Sequence, residues 1–247
     1  MDSIFDPYRE YIDGQARSFK AFIRSFLLND NTELLDEIAR QTKVYIFSGV
    51  IRNFFCGIPQ QRDLDIVIKN INQLKISTDI NSFRLTQNSF GGWKVQLNNL
   101  IIDTWGLENT WGIKKDKLEP TPESLIKTSF FNFSSIAYDY NEERFIYDTD
   151  FLLFLITEMM DVVYTKNPNI PLCVINSLHY RMKFGYGLSA NLCQWLVRNS
   201  TYVSDSDYRR VQLKHFSSVI YNISEIEKFI QECSKYQKKG ILPIRYL

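Results

Sequence analysis

Asp63 and Asp65 stand one residue apart at the start of Leu64-Asp65-Ile66-Val67-Ile68, a stretch that reads as a β-strand. Side chains alternate faces along a strand, so the two carboxylates point the same way. Held that close, they repel, and one pKa rises unless a cation lies between them. A pair of divalent metal ions removes that cost and supplies chemistry: one activates an attacking oxygen, the other holds a triphosphate and its leaving group. Asp103 offers a third carboxylate. It lies in Leu100-Ile101-Ile102-Asp103-Thr104, a hydrophobic strand in which a lone acid is costly to bury. Alone, Asp103 reads as a strand-end residue capping a turn. Beside Asp63 and Asp65 it reads as the third metal ligand.

A second feature precedes the acidic pair. Val44-Tyr45-Ile46-Phe47 is an apolar run of strand type, Ser48-Gly49 ends it, and Val50 to Cys56 forms a helix that stops at Gly57-Ile58-Pro59. Gly49 permits close backbone approach, and a helix start offers N–H groups to an anion. The β- and γ-phosphates of a nucleotide would rest there. Arg52, one turn on, either reaches the triphosphate or braces the loop. A Ser-Gly turn alone says little. Strand, Ser-Gly, helix, an Asp-x-Asp starting 14 residues after the Gly and an Asp on a later strand together say much more.

These residues need a sheet to hold them. Ser82 to Leu85, Trp93 to Leu97 and Leu100 to Thr104 read as strands, with Asn98-Asn99 as a tight hairpin turn. Phe133 to Tyr138 and Arg144 to Tyr147 read as one more hairpin. Before Lys43 the pattern is helical: Phe19, Phe22, Ile23, Phe26 and Leu27 form one apolar stripe, and Leu34, Leu35 and Ile38 another. After Thr149 it is helical again, over Asp150 to Tyr164, Pro171 to Phe184, Ser189 to Arg198, Asp205 to Ile220 and Ser224 to Lys235. The expected class is α+β: a mixed-sheet domain with flanking helices over 1–148, then an all-helical domain and tail over 149–247.

Bulk properties narrow the chemistry. With 247 residues, 45% hydrophobic and 23% charged, the chain can bury a substantial core. Aromatic residues make up 15%, which reads first as an aromatic-rich core and second as rings that stack on bases. The net charge of +1 lacks the basic excess with which a protein grips a long nucleic acid. Cys56, Cys173, Cys193 and Cys233 are scattered and the only histidines are His179 and His215, which argues against a structural zinc and a His-based metallohydrolase. Charged residues interrupt the first 20 positions and the longest apolar run is six residues, Phe151 to Ile156. A cytoplasmic protein without membrane insertion is expected.

The motifs resemble a known family. Ser48-Gly49-Val50-Ile51-Arg52-Asn53 looks like the G-G-x-V-R-D motif of the tRNA CCA-adding enzymes and bacterial poly(A) polymerases, members of the polymerase-beta-like nucleotidyltransferase superfamily. Arg62-Asp63-Leu64-Asp65-Ile66-Val67 is similar to their K-D-I-D-I-V metal motif. Thr128 to Asp139 resembles their R-R-D-F-T-I-N-A-L-A-Y-D segment, and Asn176 to Gly185 their neck helix. The resemblance runs from about Val44 to Trp195. It implies two Mg²⁺ ions (Mn²⁺ is an alternative) on Asp63, Asp65 and Asp103. It also implies nucleotide contacts at Ser48, Gly49, Arg52 and Arg62, and transfer of a nucleoside monophosphate from a nucleoside triphosphate to a hydroxyl.

The departures matter as well. Ser48 replaces the first Gly and Asn53 the Asp. Thr128, Ser129, Phe130 and Ser134 replace the two Arg, the Asp and the Asn, and the E-D-x-x-R base-selecting motif is missing. Housekeeping CCA addition is therefore not expected. The chain looks somewhat like the nucleotidyltransferase of the Hailong antiphage defence type, which makes DNA oligomers without a template. Near the end, Tyr246 offers a hydroxyl that either accepts the first nucleotide or merely packs.

Two rival readings remain. One is a toxin-like transferase that modifies a tRNA or a protein; the other is a non-catalytic nucleotide-binding module. The acceptor is a short nucleic acid or the chain's own C-terminal hydroxyl, and an inhibitory or effector protein could mask the acidic site. Lys114, Lys115 and Lys117 read first as a solvated loop, and second as phosphate contacts. Trp93, Trp105 and Trp111 read as core before base stacking. His179 and Lys183 share a helix face.

Overall fold

The structure is a computed structural model and describes residues 4–27, 29–59, 63–74, 84–87, 92–97, 100–236 and 241–242. Three helices open the chain: α1 (Asp6–Gly14), α2 (Ala16–Phe26) and α3 (Asn29–Gln41). The apolar stripes turn inward, with Phe19, Ile23, Leu27, Leu35 and Ile38 buried. Then come β1 (Val44–Phe47), α4 (Gly49–Phe55), β2 (Asp63–Ile68), β3 (Arg84–Gln87), β4 (Trp93–Leu97) and β5 (Leu100–Gly106). Two short helices, α5 (Trp111–Asp116) and α6 (Pro122–Lys127), lead to the hairpin β6 (Ile136–Asp139) and β7 (Arg144–Tyr147). Asn98 and Asn99 lie outside the described residues, but the pairing of Leu97 with Leu100 makes β4 and β5 antiparallel neighbours.

The described strands form a seven-stranded mixed sheet in the order β3-β4-β5-β2-β1-β6-β7. β2 and β5 run parallel, and its other described neighbours are antiparallel. Alternation gives the sheet two apolar faces. On one, Tyr45, Val67, Ala137 and Ile146 pack with Leu107, Ile113, Leu125 and Ile126, flanked by Phe47 and Trp105. On the other, the Phe19 ring lies 4.9 Å from Tyr138, 5.2 Å from Phe145 and 5.2 Å from Phe54 of α4. Such edge-to-face clusters contribute beyond the area they bury. The aromatic wealth of the chain is, at these rings, core.

Several elements differ from the expected ones. Lys114 and Lys115 lie in the last turn of α5 rather than in a loop, and Lys117 closes that helix in the left-handed region. Helix α6 carries a readable signal: Thr121 accepts the Ser124 N–H at 3.1 Å, with Pro122 at the first helical position. The expected strand from Phe133 starts only at Ile136, because Asn132–Ser134 form a 3₁₀ turn. The nearby hydroxyls of Ser129 and Ser135 bond to the Ile126 carbonyl instead of leaving the chain extended.

The chain divides into two compact units, Met1–Ser129 with Phe133–Leu152, and Phe130–Asn132 with Leu153–Leu247. Helix α7 (Thr149–Thr157) leads from the first into the second. The expected helix to Tyr164 ends seven residues early, since Glu158 takes a positive φ of 52° and Met159–Met160 becomes strand β8. Long-range partners fix the break. β8 pairs in parallel with β9 (Gly187–Ser189), and Asn132 bonds to the Met159 carbonyl and the Asp161 N–H at 2.9 and 3.0 Å.

The rest of the second unit is α8 (Ile170–Phe184), α9 (Ala190–Ser200), α10 (Asp205–Phe216), α11 (Ile223–Tyr236) and β10 (Ile241–Leu242), which pairs with β9. Gly185 at φ 76° closes α8. Helix α10 stops at Phe216 rather than Ile220 because Ser217 turns left-handed, and buried Gln212 takes the Ile220 and Tyr221 N–H groups at 3.0 and 2.8 Å. Cys193 and Cys233 are buried within this unit.

Candidate active site

Asp65 is the direct Cα partner of Asp103 across the parallel pair β2/β5, and Asp63 is the partner of Ile101. Neighbouring strands lie about 4.8 Å apart. Asp63, Asp65 and Asp103 therefore leave the same face of two adjacent strands. That face is the one that carries Val67 and Trp105 two residues further along. All three carboxylates are half-buried. On the other side of β2, Asp65 pairs with Phe47, the last residue of β1, so Ser48 and Gly49 follow immediately beside the acidic row. One short stretch of sheet thus brings together the acidic residues and the Ser-Gly turn.

The turn itself is tightly specified. Ser48 has φ 60° and ψ −112°, a left-handed backbone that glycine adopts without strain and serine does not. Its N–H donates to the Ile136 carbonyl at 3.4 Å, its carbonyl accepts from Ile51 and Arg52, and its hydroxyl donates to Ser134 Oγ at 2.8 Å. These bonds hold the conformation. A Cβ built at Gly49 would meet nothing nearer than Arg52 Nη2 at 4.0 Å, so packing does not explain the glycine. Arg52 is buried: Nε and Nη2 donate to Asn53 Oδ1 at 3.1 and 2.7 Å, and the guanidinium lies 5.0 Å from the Phe133 ring centre. These contacts fix the guanidinium beside the turn.

Two further side chains border the site, Ser134, noted above only as a departure from the motif, and Lys94, which the sequence did not single out. Ser134 meets the Ser48 hydroxyl. Lys94 on β4 is the direct partner of Asp103, and its Nζ stands 3.6 Å from Asp103 Oδ2. The signal for Lys94 was present: a two-residue turn at 98–99, followed back along both strands, pairs 94 with 103. As the side chains stand, no group of three or more His, Cys, Asp or Glu among the described residues is gathered to hold a metal ion. The donor set itself suits a hard cation, being all carboxylate oxygen on adjacent strands, and Lys94 already brings a positive charge to Asp103.

Arg62 and Tyr246 lie outside the described residues. Trp93 is exposed, while Trp105 and Trp111 are half-buried, with Trp105 packed edge-on against Phe47 at 6.2 Å. His179 and Lys183 belong to the helical unit. There His179 Nδ1 lies 3.2 Å from the Tyr221 hydroxyl, and Lys183 is exposed over Phe184.

No family model matches the chain, and no curated protein matches its sequence. Solved structures do match. A CCA-adding enzyme in complex with ATP superposes with a TM-score of 0.58 at 14% identity over 87% of this chain and 54% of that one. The fold is that of the CCA-adding enzymes. A Thermotoga maritima CCA-adding enzyme complexed with tRNA gives 0.60 at 14% identity, covering 87% and 53% of the two chains. A tRNA-processing enzyme in an apo form gives 0.61 at 12% identity, covering 84% and 57%. The chain spans about half the length of these structures. Among the described residues no helix is long and apolar enough to cross a membrane.

Proposed function

We propose that this protein is a metal-dependent, template-independent nucleotidyltransferase. It transfers a nucleoside monophosphate, ribo or deoxy, from a nucleoside triphosphate to a hydroxyl acceptor. One observation carries the reading: Asp65 and Asp103 are register partners on adjacent parallel strands, with the Ser48-Gly49 turn next to Asp65. A sheet has no structural need for three acids on one face, and like charges directly opposite are destabilising. A functional demand for negative charge explains the cost. The fold shared with the CCA-adding enzymes supports the same reading.

Asp63, Asp65 and Asp103 would hold Mg²⁺, two ions by analogy with the motif, or Mn²⁺ in its place. Bound there, the metal would neutralise phosphate charge and activate the acceptor hydroxyl. The chain's own residues set the stage. Asp65 and Asp103 present oxygen donors from a rigid pair of strands. Ser48, pinned by Ser134 and Ile136, and Gly49, with open space around its Cα, form the surface for the triphosphate. Arg52 holds that turn through Asn53 and Phe133. Residues 1–148 would form the transferase head and 149–247 the neck-like part.

Departures from the motifs at Ser48, Asn53 and Ser134 support a specialised role, and synthesis of DNA oligomers in antiphage defence is the form we favour. The test is incubation of purified protein with Mg²⁺ and each labelled NTP and dNTP in turn, without primer, beside Asp63→Asn/Asp65→Asn. Products are resolved on denaturing gels before and after protease. Oligomer from dNTPs, lost in the double variant, is the expected outcome. Protease-sensitive label would identify a protein acceptor, with Tyr246→Phe testing the chain's own hydroxyl. Label appearing only on added tRNA would make it a tRNA-modifying transferase. No transfer to any acceptor would leave a nucleotide-binding module.

A further inference from the structure

Lys94 faces Asp103 across the β4/β5 pair, so both side chains leave the same face of the sheet. Nζ stands 3.6 Å from Asp103 Oδ2, with the side chains 47% and 29% exposed. Sheet architecture does not ask for this residue. Lysine is depleted in strands, and a solvent-screened cross-strand pair adds little to stability. Asp103 also faces Asp65 on its other side. The carboxylate is thus flanked by an acid on β2 and an ammonium on β4.

Resting on the reading of Asp103 as a metal ligand, we infer that Lys94 is an internal counter-cation. It competes with the divalent ion for Asp103 and so sets the metal concentration at which the site assembles. In the metal-free protein the ammonium offsets part of the charge of the acidic row. The 3.6 Å separation exceeds hydrogen-bond reach, so the contact is electrostatic and a divalent ion displaces it without breaking a directional bond. The effect is a tuning of affinity, not a block. The freed side chain is long enough to swing into solvent from the exposed strand position it occupies.

Mn²⁺ binding to the full chain without nucleotide, read from loss of the free-ion paramagnetic resonance signal, tests this. Lys94→Gln is expected to bind Mn²⁺ about 5- to 10-fold more tightly than wild type, as removal of one nearby screened charge implies. Lys94→Arg, which keeps the charge, is expected to stay close to wild type, and Lys94→Met gives a second charge-free variant should Lys94→Gln fold poorly. Adding Asp103→Asn to Lys94→Gln should abolish the gain. Unchanged or weaker binding in Lys94→Gln, with binding still sensitive to Asp103→Asn, would overturn the role of Lys94 and leave the metal site standing. Mn²⁺ binding indifferent to Asp65→Asn and Asp103→Asn in every background would overturn both.

Discussion

Ser48 stores strain at the edge of the acidic row. Its φ of 60° with ψ −112° suits glycine, and the motif it resembles has glycine there. Ser48→Gly is expected to raise stability by about 1 kcal/mol by releasing that strain, against a smaller loss from the Ser134 bond. Ser48→Ala keeps the strain and loses the bond, so urea unfolding should show it less stable than wild type. Asp148 is a second residue with a stated sign. Burial pushes its carboxyl pKa up, outweighing the Asp150 and Phe151 N–H groups it accepts at the start of α7. A folded pKa above the unfolded one contributes stability below the unfolded value and loses it as pH rises through the folded one. Asp148→Asn, which keeps the acceptor, should therefore gain on wild type at neutral pH. The gain should vanish as pH falls through the carboxyl's own pKa in paired denaturation curves.

At the scale of the element, the site depends on the β4/β5 register. Gly92 sits just before β4, where an added Cβ would lie 1.7 Å from the Thr104 carbonyl oxygen. Gly92→Ala must push β4 off β5, costing about 3 kcal/mol or more and carrying Lys94 away from Asp103. A thermal melt and the Mn²⁺ titration would both register it. The sequence made the positions of Asp63 and Asp65 legible because strand periodicity is local. The pairing of Lys94 with Asp103 follows only when the register of β4 and β5 is traced back along both strands from Leu97 and Leu100. The end of α7 was not legible: the apolar run Phe151 to Ile156 carries a helical pattern onward, and what stops it is pairing with Gly187 and Leu188 and the amide of Asn132. Arg52 was half legible. Its place one turn after Gly49 was clear, but its burial against Phe133 depends on a segment far along the chain.

At the scale of the molecule, burial has two readable consequences. Cys56 is exposed, and Cys173, Cys193 and Cys233 are buried. A thiol reagent should modify Cys56 alone in the native protein. In a denaturant series the other three should become reactive together, because α8, α9 and α11 pack as one body. Several tyrosines are held neutral by burial, with Tyr45, Tyr147 and Tyr208 each pushed up to about 12. The raised values stabilise the fold fully below the unfolded tyrosine pKa of about 10 and lose that contribution as pH rises through 12. Ionisation of Tyr45, Tyr147 and Tyr208, followed ring by ring by NMR, should therefore appear together with unfolding rather than before it.

The proposed catalytic row of Asp63, Asp65 and Asp103 stands or falls on Asp103. Its most direct test is the single-turnover rate of transfer from a labelled triphosphate in Asp103→Asn, beside wild type, with circular dichroism on the same samples. A folded variant slower by at least about 100-fold is expected, the scale of loss when an essential catalytic group is removed. A folded Asp103→Asn protein that transfers nucleotide at the wild-type rate would contradict it.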